Sequence, residues 1–248
     1  AELSYATENK AGVFELSNDD LEKLLSQVKT LADISTLINE AITMKRAYRI
    51  TRILEVILAG ALSTSASDIH FEPGEKAVRL RYRLDGILTD VLTFDTDTYH
   101  LVLSRLKLLS GLKLNIVSDA QSGRFSIKVK GSEIELRSSI LPGNYAETLV
   151  MRILNPDAIS VPLEELGLEP KLRERVEKEI KRQNGLILTT GPTGSGKTTT
   201  LYAFLRKVNP EYKVITIEDP IEYHLATIVQ TQVDKKNYTF ASGLREAL

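Results

Sequence analysis

One run of residues constrains this chain more than any other: Gly191, Pro192, Thr193, Gly194, Ser195, Gly196, Lys197, Thr198, Thr199 and Thr200, in that order. It satisfies G-x-x-x-x-G-K-[ST], the pattern of a loop in which backbone N–H groups, a lysine and a hydroxyl converge on phosphate oxygens. Glycine is expected at Gly191, Gly194 and Gly196 because the backbone must curl through positive φ and approach the ligand closely. Curled in this way, successive N–H groups point inward, and a following helix adds the positive end of its dipole. On this reading residues Gly191 to Thr199 cradle the phosphates of ATP. Lys197 reaches the β- and γ-phosphates as a point charge, and the Thr198 hydroxyl ligates Mg²⁺. The flanks suit the loop: Gly185 to Thr190 reads as a short buried strand and Thr199 to Val208 as a helix.

The rest of the composition narrows the class. At 248 residues, 42% hydrophobic and 26% charged, the chain fits one large or two ordinary domains with a real core. No apolar run approaches a membrane span and no leader pattern opens the chain, so a cytoplasmic protein is expected. Cysteine is absent, and the three histidines (His70, His100, His224) show no metal-ligand spacing. A net charge of -1 argues against a nucleic-acid partner, which would require a basic footprint. The chain opens on Ala1 and stops inside the helical pattern of residues 240–248, which reads as a stretch cut from a longer protein.

Taken in order, Ser17 and Asp20 suggest a capping box for a helix through Leu21, Leu24, Leu25 and Val28. Ile34 to Met44 reads as a second amphipathic helix, and residues 1–46 as a linker or partner-packing segment. A more apolar helix covers Thr51 to Leu62. Asp68 to Pro73 reads as a strand. Val78, Leu80, Tyr82 and Leu84 then alternate strictly with Arg79, Arg81 and Arg83, which predicts a strand with one polar face. Asp85-Gly86 marks a hairpin turn and Ile87 to Phe94 the return strand. Leu101 to Leu112 is helical. A second hairpin joins Phe125–Val129 to Ile134–Ile140 through residues 130–133, and Thr148 to Leu154 is a further strand. Residues 47–157 thus read as an α+β antiparallel-sheet domain, with the boundary near Asn155-Pro156-Asp157. From 158 to 248 helices and strands alternate, which predicts a parallel α/β sheet.

A second chemical element is Ile215 to Glu222, with the acids Glu218, Asp219 and Glu222 at the end of a strand. Carboxylates placed there face the ligand crevice of an open α/β sheet; one can orient or deprotonate the attacking water and another can bind Mg²⁺ through water. The other reading is a solvated Glu-Asp-Pro turn.

The loop, the Ile215–Glu222 acids and Gln230 to Val233, in this order, resemble the ATPases of type II secretion and type IV pilus assembly. So do Ala66 to Pro73, Arg81 to Gly86 and Gly123 to Phe125. The resemblance covers residues 46–248 and is most like a pilus extension ATPase. It implies a PAS-like sheet domain followed by a RecA-like phosphate-loop domain, assembled as a homo-hexamer. Nucleotide-driven domain rotation would move pilins, with an inner-membrane platform protein as partner and a site at the cytoplasmic face of that membrane. It further implies Glu218 as the catalytic carboxylate and Arg81 and Arg83 as arginines brought to the nucleotide, with Arg105, Arg124 and Arg137 as weaker candidates. The other reading of Arg79, Arg81 and Arg83 is an ordinary solvated strand face balanced by Glu133 and Glu135. Ser122 and Ala146 depart from the acid and the glycine common in the family. The family's second acidic strand, histidine box and, in some members, zinc-binding cysteines are expected beyond Leu248. The alternatives are a retraction ATPase of the same superfamily and a nucleotide-gated assembly module without turnover.

Overall fold

The computed structural model describes residues 12–14, 18–129, 132–155, 161–192, 195–208, 210–223, 225, 228–234 and 237–247. The chain divides into two compact units, Ala1–Leu154 and Asn155–Leu248. The boundary expected at 157/158 falls on residues 156–160, outside the described residues.

Unit 1 holds a seven-stranded sheet. Its strands are β1 (Gly12–Phe14), β2 (Asp68–Pro73), β3 (Val78–Leu84), β4 (Ile87–Phe94), β5 (Gln121–Val129), β6 (Ser132–Leu141) and β7 (Thr148–Leu154). They lie in the order β1-β5-β6-β7-β2-β3-β4. Every neighbouring pair is antiparallel except β1 and β5. The two hairpins, β3–β4 and β5–β6, form where alternation and turn residues place them; the Lys130-Gly131 part of the second turn lies outside the described residues. β1 was not legible in the sequence, since three residues without alternation carry no period-two signal.

The helices of this unit are α1 (Asn18–Gln27), α2 (Leu31–Ile42), α3 (Arg46–Ser63) and α4 (Thr96–Leu109). α3 packs against the other three. Leu24, Val28, Ile34 and Ile38 are buried in one core with Leu54 and Ile57 of α3 and Ile69, Phe71, Leu80 and Tyr82 of the sheet. Residues 18–42 are therefore not the linker expected from sequence: their apolar stripes find the face of α3 and close the core. A capping box does start a helix here, but at Thr30 and Asp33, whose side chain and backbone exchange hydrogen bonds at the head of α2. The Ser17 box lies outside the described residues. The Tyr82 hydroxyl donates to the Ile57 carbonyl at 2.7 Å and ties β3 to α3.

One charged pair sits inside the core. Lys107 of α4 is 2% exposed, and its Nζ lies 2.7 Å from Glu147 and donates to the Ile116 carbonyl at 2.9 Å. Gln121 Nε2 donates to the same carbonyl, so the loop 112–121 is held from two sides. Gly123 lets that loop approach: a Cβ there would meet the Ser110 carbonyl oxygen at 2.2 Å.

Unit 2 contains a 3₁₀ turn (Leu163–Glu165), α5 (Pro170–Ile180), α6 (Lys197–Leu205), β8 (Ile215–Glu218), β9 (Val229–Gln232) and α7 (Phe240–Ala247). β8 and β9 pair in parallel. The strand expected at Gly185–Thr190 does not form. A strand exists only through a partner's backbone bonds. Among the described residues β8 pairs with β9 and none pairs with 185–190, leaving Leu186 82% and Leu188 74% exposed.

Candidate functional site

The loop delivers what its composition demands. Gly196 adopts φ +83°, the left-handed conformation that glycine takes without steric cost, and stands as the N-cap of α6. Gly191 lies at φ +156°, with Ser195 Oγ only 2.5 Å from where a Cβ would stand. Lys197, the first residue of α6, folds back over the loop: its Nζ donates to the carbonyls of Gly191 at 2.8 Å and Pro192 at 2.7 Å. The Thr200 N–H bonds to the Gly196 carbonyl, the first rung of the helix. N–H groups in the first turn have no intrahelical partner and, with the helix dipole, favour an anion. Thr193 and Gly194 lie outside the described residues. Pro192, Ser195, Thr198 and Thr199 stand in and around this turn.

Across from α6 a cavity of about 840 Å³ opens within unit 2. Thr198, Leu201, Tyr202 and Leu205 of α6 line one side, Thr216 to Pro220 and Glu222 another, and Gly185 to Ile187 a third. The expected carboxylate is the last residue of β8 and lines this cavity. Its Oε2 accepts from the Tyr202 hydroxyl at 2.6 Å. Its Oε1 accepts from Thr216 Oγ1 at 2.5 Å and from Gln230 Nε2 of β9 at 3.0 Å. Burial, together with the hydrogen bond to Glu218 and its charge, pushes the Tyr202 hydroxyl above its ordinary range, so it stays a donor at neutral pH. Asp219 and Glu222 line the same cavity. The start of α6 and the Glu218 carboxylate thus share this cavity through Thr198.

Sequence reasoning missed the donors around Glu218. Tyr202 had one available signal, its position four residues after Thr198 and hence on the same helical face. Gln230 lay within a quoted motif but had no assigned partner, because only the β8–β9 register brings it beside Glu218.

The expected arginines belong to unit 1, on the polar face of its sheet. Arg81 pairs with Asp90 at 2.6 Å and with Glu72 at 3.4 Å, and donates to the Leu88 carbonyl. Arg83 pairs with Asp68 at 3.2 Å and donates to the Gly86 carbonyl. Asp68, 5% exposed, also takes Arg152 at 3.0 Å. The balancing acids are thus Asp68, Glu72 and Asp90 rather than Glu133 and Glu135. Strand register decides this: Arg83 stands opposite Asp68, and Arg81 opposite Asp90. Glu135 instead meets Arg137 at 2.9 Å and Arg124 at 3.7 Å within its own hairpin. Arg105 is exposed on α4.

These features are those of a family. A match to the family described as Type II/IV secretion system protein spans residues 43–248, and the chain belongs to it. It is 37% identical over 243 residues to type II secretion system protein E of Pectobacterium carotovorum subsp. carotovorum, covering 95% of this chain and 49% of that one. It is 40% identical over 201 residues to type II secretion system ATPase E of Vibrio cholerae serotype O1, covering 80% of this chain and 40% of that one. The chain thus spans about half, or somewhat less, of the length of the curated relatives it matches. Among solved structures, the Legionella pneumophila ATPase DotB aligns over 78% of this chain and 55% of its own, with 22% identity and a TM-score of 0.43. No helix among the described residues is long and apolar enough to cross a membrane.

Proposed function

We propose that this chain is the sheet domain and phosphate-loop region of an ATP-hydrolysing secretion motor. The observation that carries the reading is the turn at Gly196 and Lys197 followed by Thr198, which lines one cavity with Glu218. A lysine held on two loop carbonyls can exchange them for phosphate oxygens without moving its backbone, which suits a triphosphate. Thr198 would hold Mg²⁺, which would supply positive charge against the phosphates. Glu218 would orient and deprotonate the attacking water. The names of the relatives, type II secretion protein E and ATPase E, favour secretion over pilus extension.

The remaining parts of the reading follow the family resemblance. Residues 47–157 form the PAS-like domain and 158–248 the first part of a RecA-like domain; the whole protein assembles as a hexamer at the cytoplasmic face of the inner membrane. Arg81 and Arg83 would serve a nucleotide only by exchanging Asp90, Glu72 and Asp68 for phosphate, so their contribution is conditional on domain or subunit closure. The test is MgATP titration of the full-length protein and its Lys197→Ala variant. Affinity should fall by about 10- to 150-fold, since removing a charge-assisted phosphate contact costs roughly 1.5–3 kcal/mol. Unchanged affinity would remove the phosphate-loop assignment.

A further inference from the structure

The carboxylate at the end of β8 is tied to two other elements at once. Its Oε2 takes the Tyr202 hydroxyl of α6, and its Oε1 takes the Gln230 amide of β9 together with Thr216 Oγ1. Tyr202 is 3% exposed and stands four residues beyond Thr198, so both side chains share one face of α6, about 6 Å apart along the axis. Both line the same cavity. The Gln230 amide has a single admissible orientation. Its nitrogen donates to Glu218 and to the Tyr223 carbonyl at 2.8 Å, and its oxygen accepts the Leu225 N–H at 2.6 Å. Flipped, it would set a carbonyl against a carboxylate and an N–H against an N–H.

From this geometry we infer that Tyr202 and Gln230 are positioning residues that hold Glu218 in its water-orienting pose, with Tyr202 linking that pose to the helix that begins at the phosphate loop. The inference rests on the reading of Glu218 given above. A displacement of α6 on nucleotide binding passes to the carboxylate through one O–H···O contact, while Gln230 fixes the opposite oxygen to the β8–β9 pair. A purely packing role for Tyr202 would reside in its ring, which lies edge-on to Tyr223 with centroids 6.4 Å apart. Phenylalanine preserves that ring contact and deletes only the hydroxyl.

The experiment is steady-state MgATP hydrolysis by the full-length protein carrying Tyr202→Phe, alone and combined with Glu218→Asp. Tyr202→Phe should lower kcat about ten- to hundred-fold, the usual scale for a misplaced catalytic group, and leave KM within about twofold. Glu218→Asp shortens the side chain and withdraws the carboxylate from the hydroxyl, so Tyr202→Phe should lower kcat by less than about twofold more in that background. Gln230→Leu should follow Tyr202→Phe in direction. Wild-type turnover by Tyr202→Phe, the same fractional loss in both backgrounds, or a rise in KM at unchanged kcat would overturn the inference. A Glu218→Gln variant separates the two levels. Near-normal hydrolysis there removes the reading of Glu218 itself; a silent Glu218→Gln beside a wild-type-like Tyr202→Phe removes only the positioning role.

Discussion

Replacing Lys107 by methionine isolates the buried Lys107–Glu147 charge pair of unit 1. The two side chains have similar length, so the change deletes the ammonium with little change in volume. Glu147, 9% exposed, is left as a carboxylate without its cation, and breaking a buried pair in this way costs about 3–5 kcal/mol. The Ile116 carbonyl keeps the Gln121 amide, so the loop contact itself accounts for little of the loss. Because the chain has two units, hydrogen exchange at the β6–β7 amides is the appropriate assay, since it reports on unit 1 alone. At about 1.4 kcal/mol per decade, exchange through global opening should accelerate by roughly two to three and a half orders of magnitude. The double variant Lys107→Met, Glu147→Met removes both charges and should recover most of the loss, since a buried pair exchanged for apolar groups of like volume is often neutral. Exchange within about threefold of wild type for Lys107→Met, or a double variant as unstable as the sum of the singles, would refute the argument.

Gly123→Ala should destabilise unit 1 by about 2–3 kcal/mol, because the new methyl meets backbone rather than a yielding side chain; denaturant titration checks it. Tyr82→Phe should cost about 1 kcal/mol near neutral pH through loss of its bond to Ile57. Burial raises the Tyr82 hydroxyl above its ordinary 10.0, so the wild-type contribution is complete below pH 10 and is lost as pH rises through the folded value. The alkaline decline in stability should therefore be shallower in Tyr82→Phe, provided Tyr99, raised by burial and by the charge of Glu147, is kept in both proteins.

How much of this was legible in the sequence depended on where each structural decision is made. β2, β3, β4 and β7 fall on the residues read as strands, β3 most plainly, because a half-buried antiparallel strand records its own period. The fate of residues 18–42 was not legible: an amphipathic helix states that it has an apolar face, not which surface covers it. The Gly185–Thr190 run fails for the converse reason, since strand propensity cannot supply a partner. At the site, the loop could be read because its demands are local, down to the left-handed Gly196. The cradle of Glu218 could not, because Tyr202, Thr216 and Gln230 meet only after α6, β8 and β9 have packed. The carboxylate partners of Arg81 and Arg83 are likewise a matter of register rather than of neighbouring sequence.

The central claim is that this cavity hydrolyses a nucleotide with Glu218 orienting the water, and the most direct measurement is MgATP binding and turnover by the full-length Glu218→Gln protein. Glutamine keeps the size and one oxygen to accept from Tyr202, sets an amide nitrogen where Gln230 donates, and cannot draw a proton from water. The account predicts wild-type MgATP affinity with hydrolysis reduced by about 100-fold or more. Hydrolysis near the wild-type rate would contradict it and move the water-orienting role elsewhere, with Asp219 and Glu222 on the same cavity the first places to look.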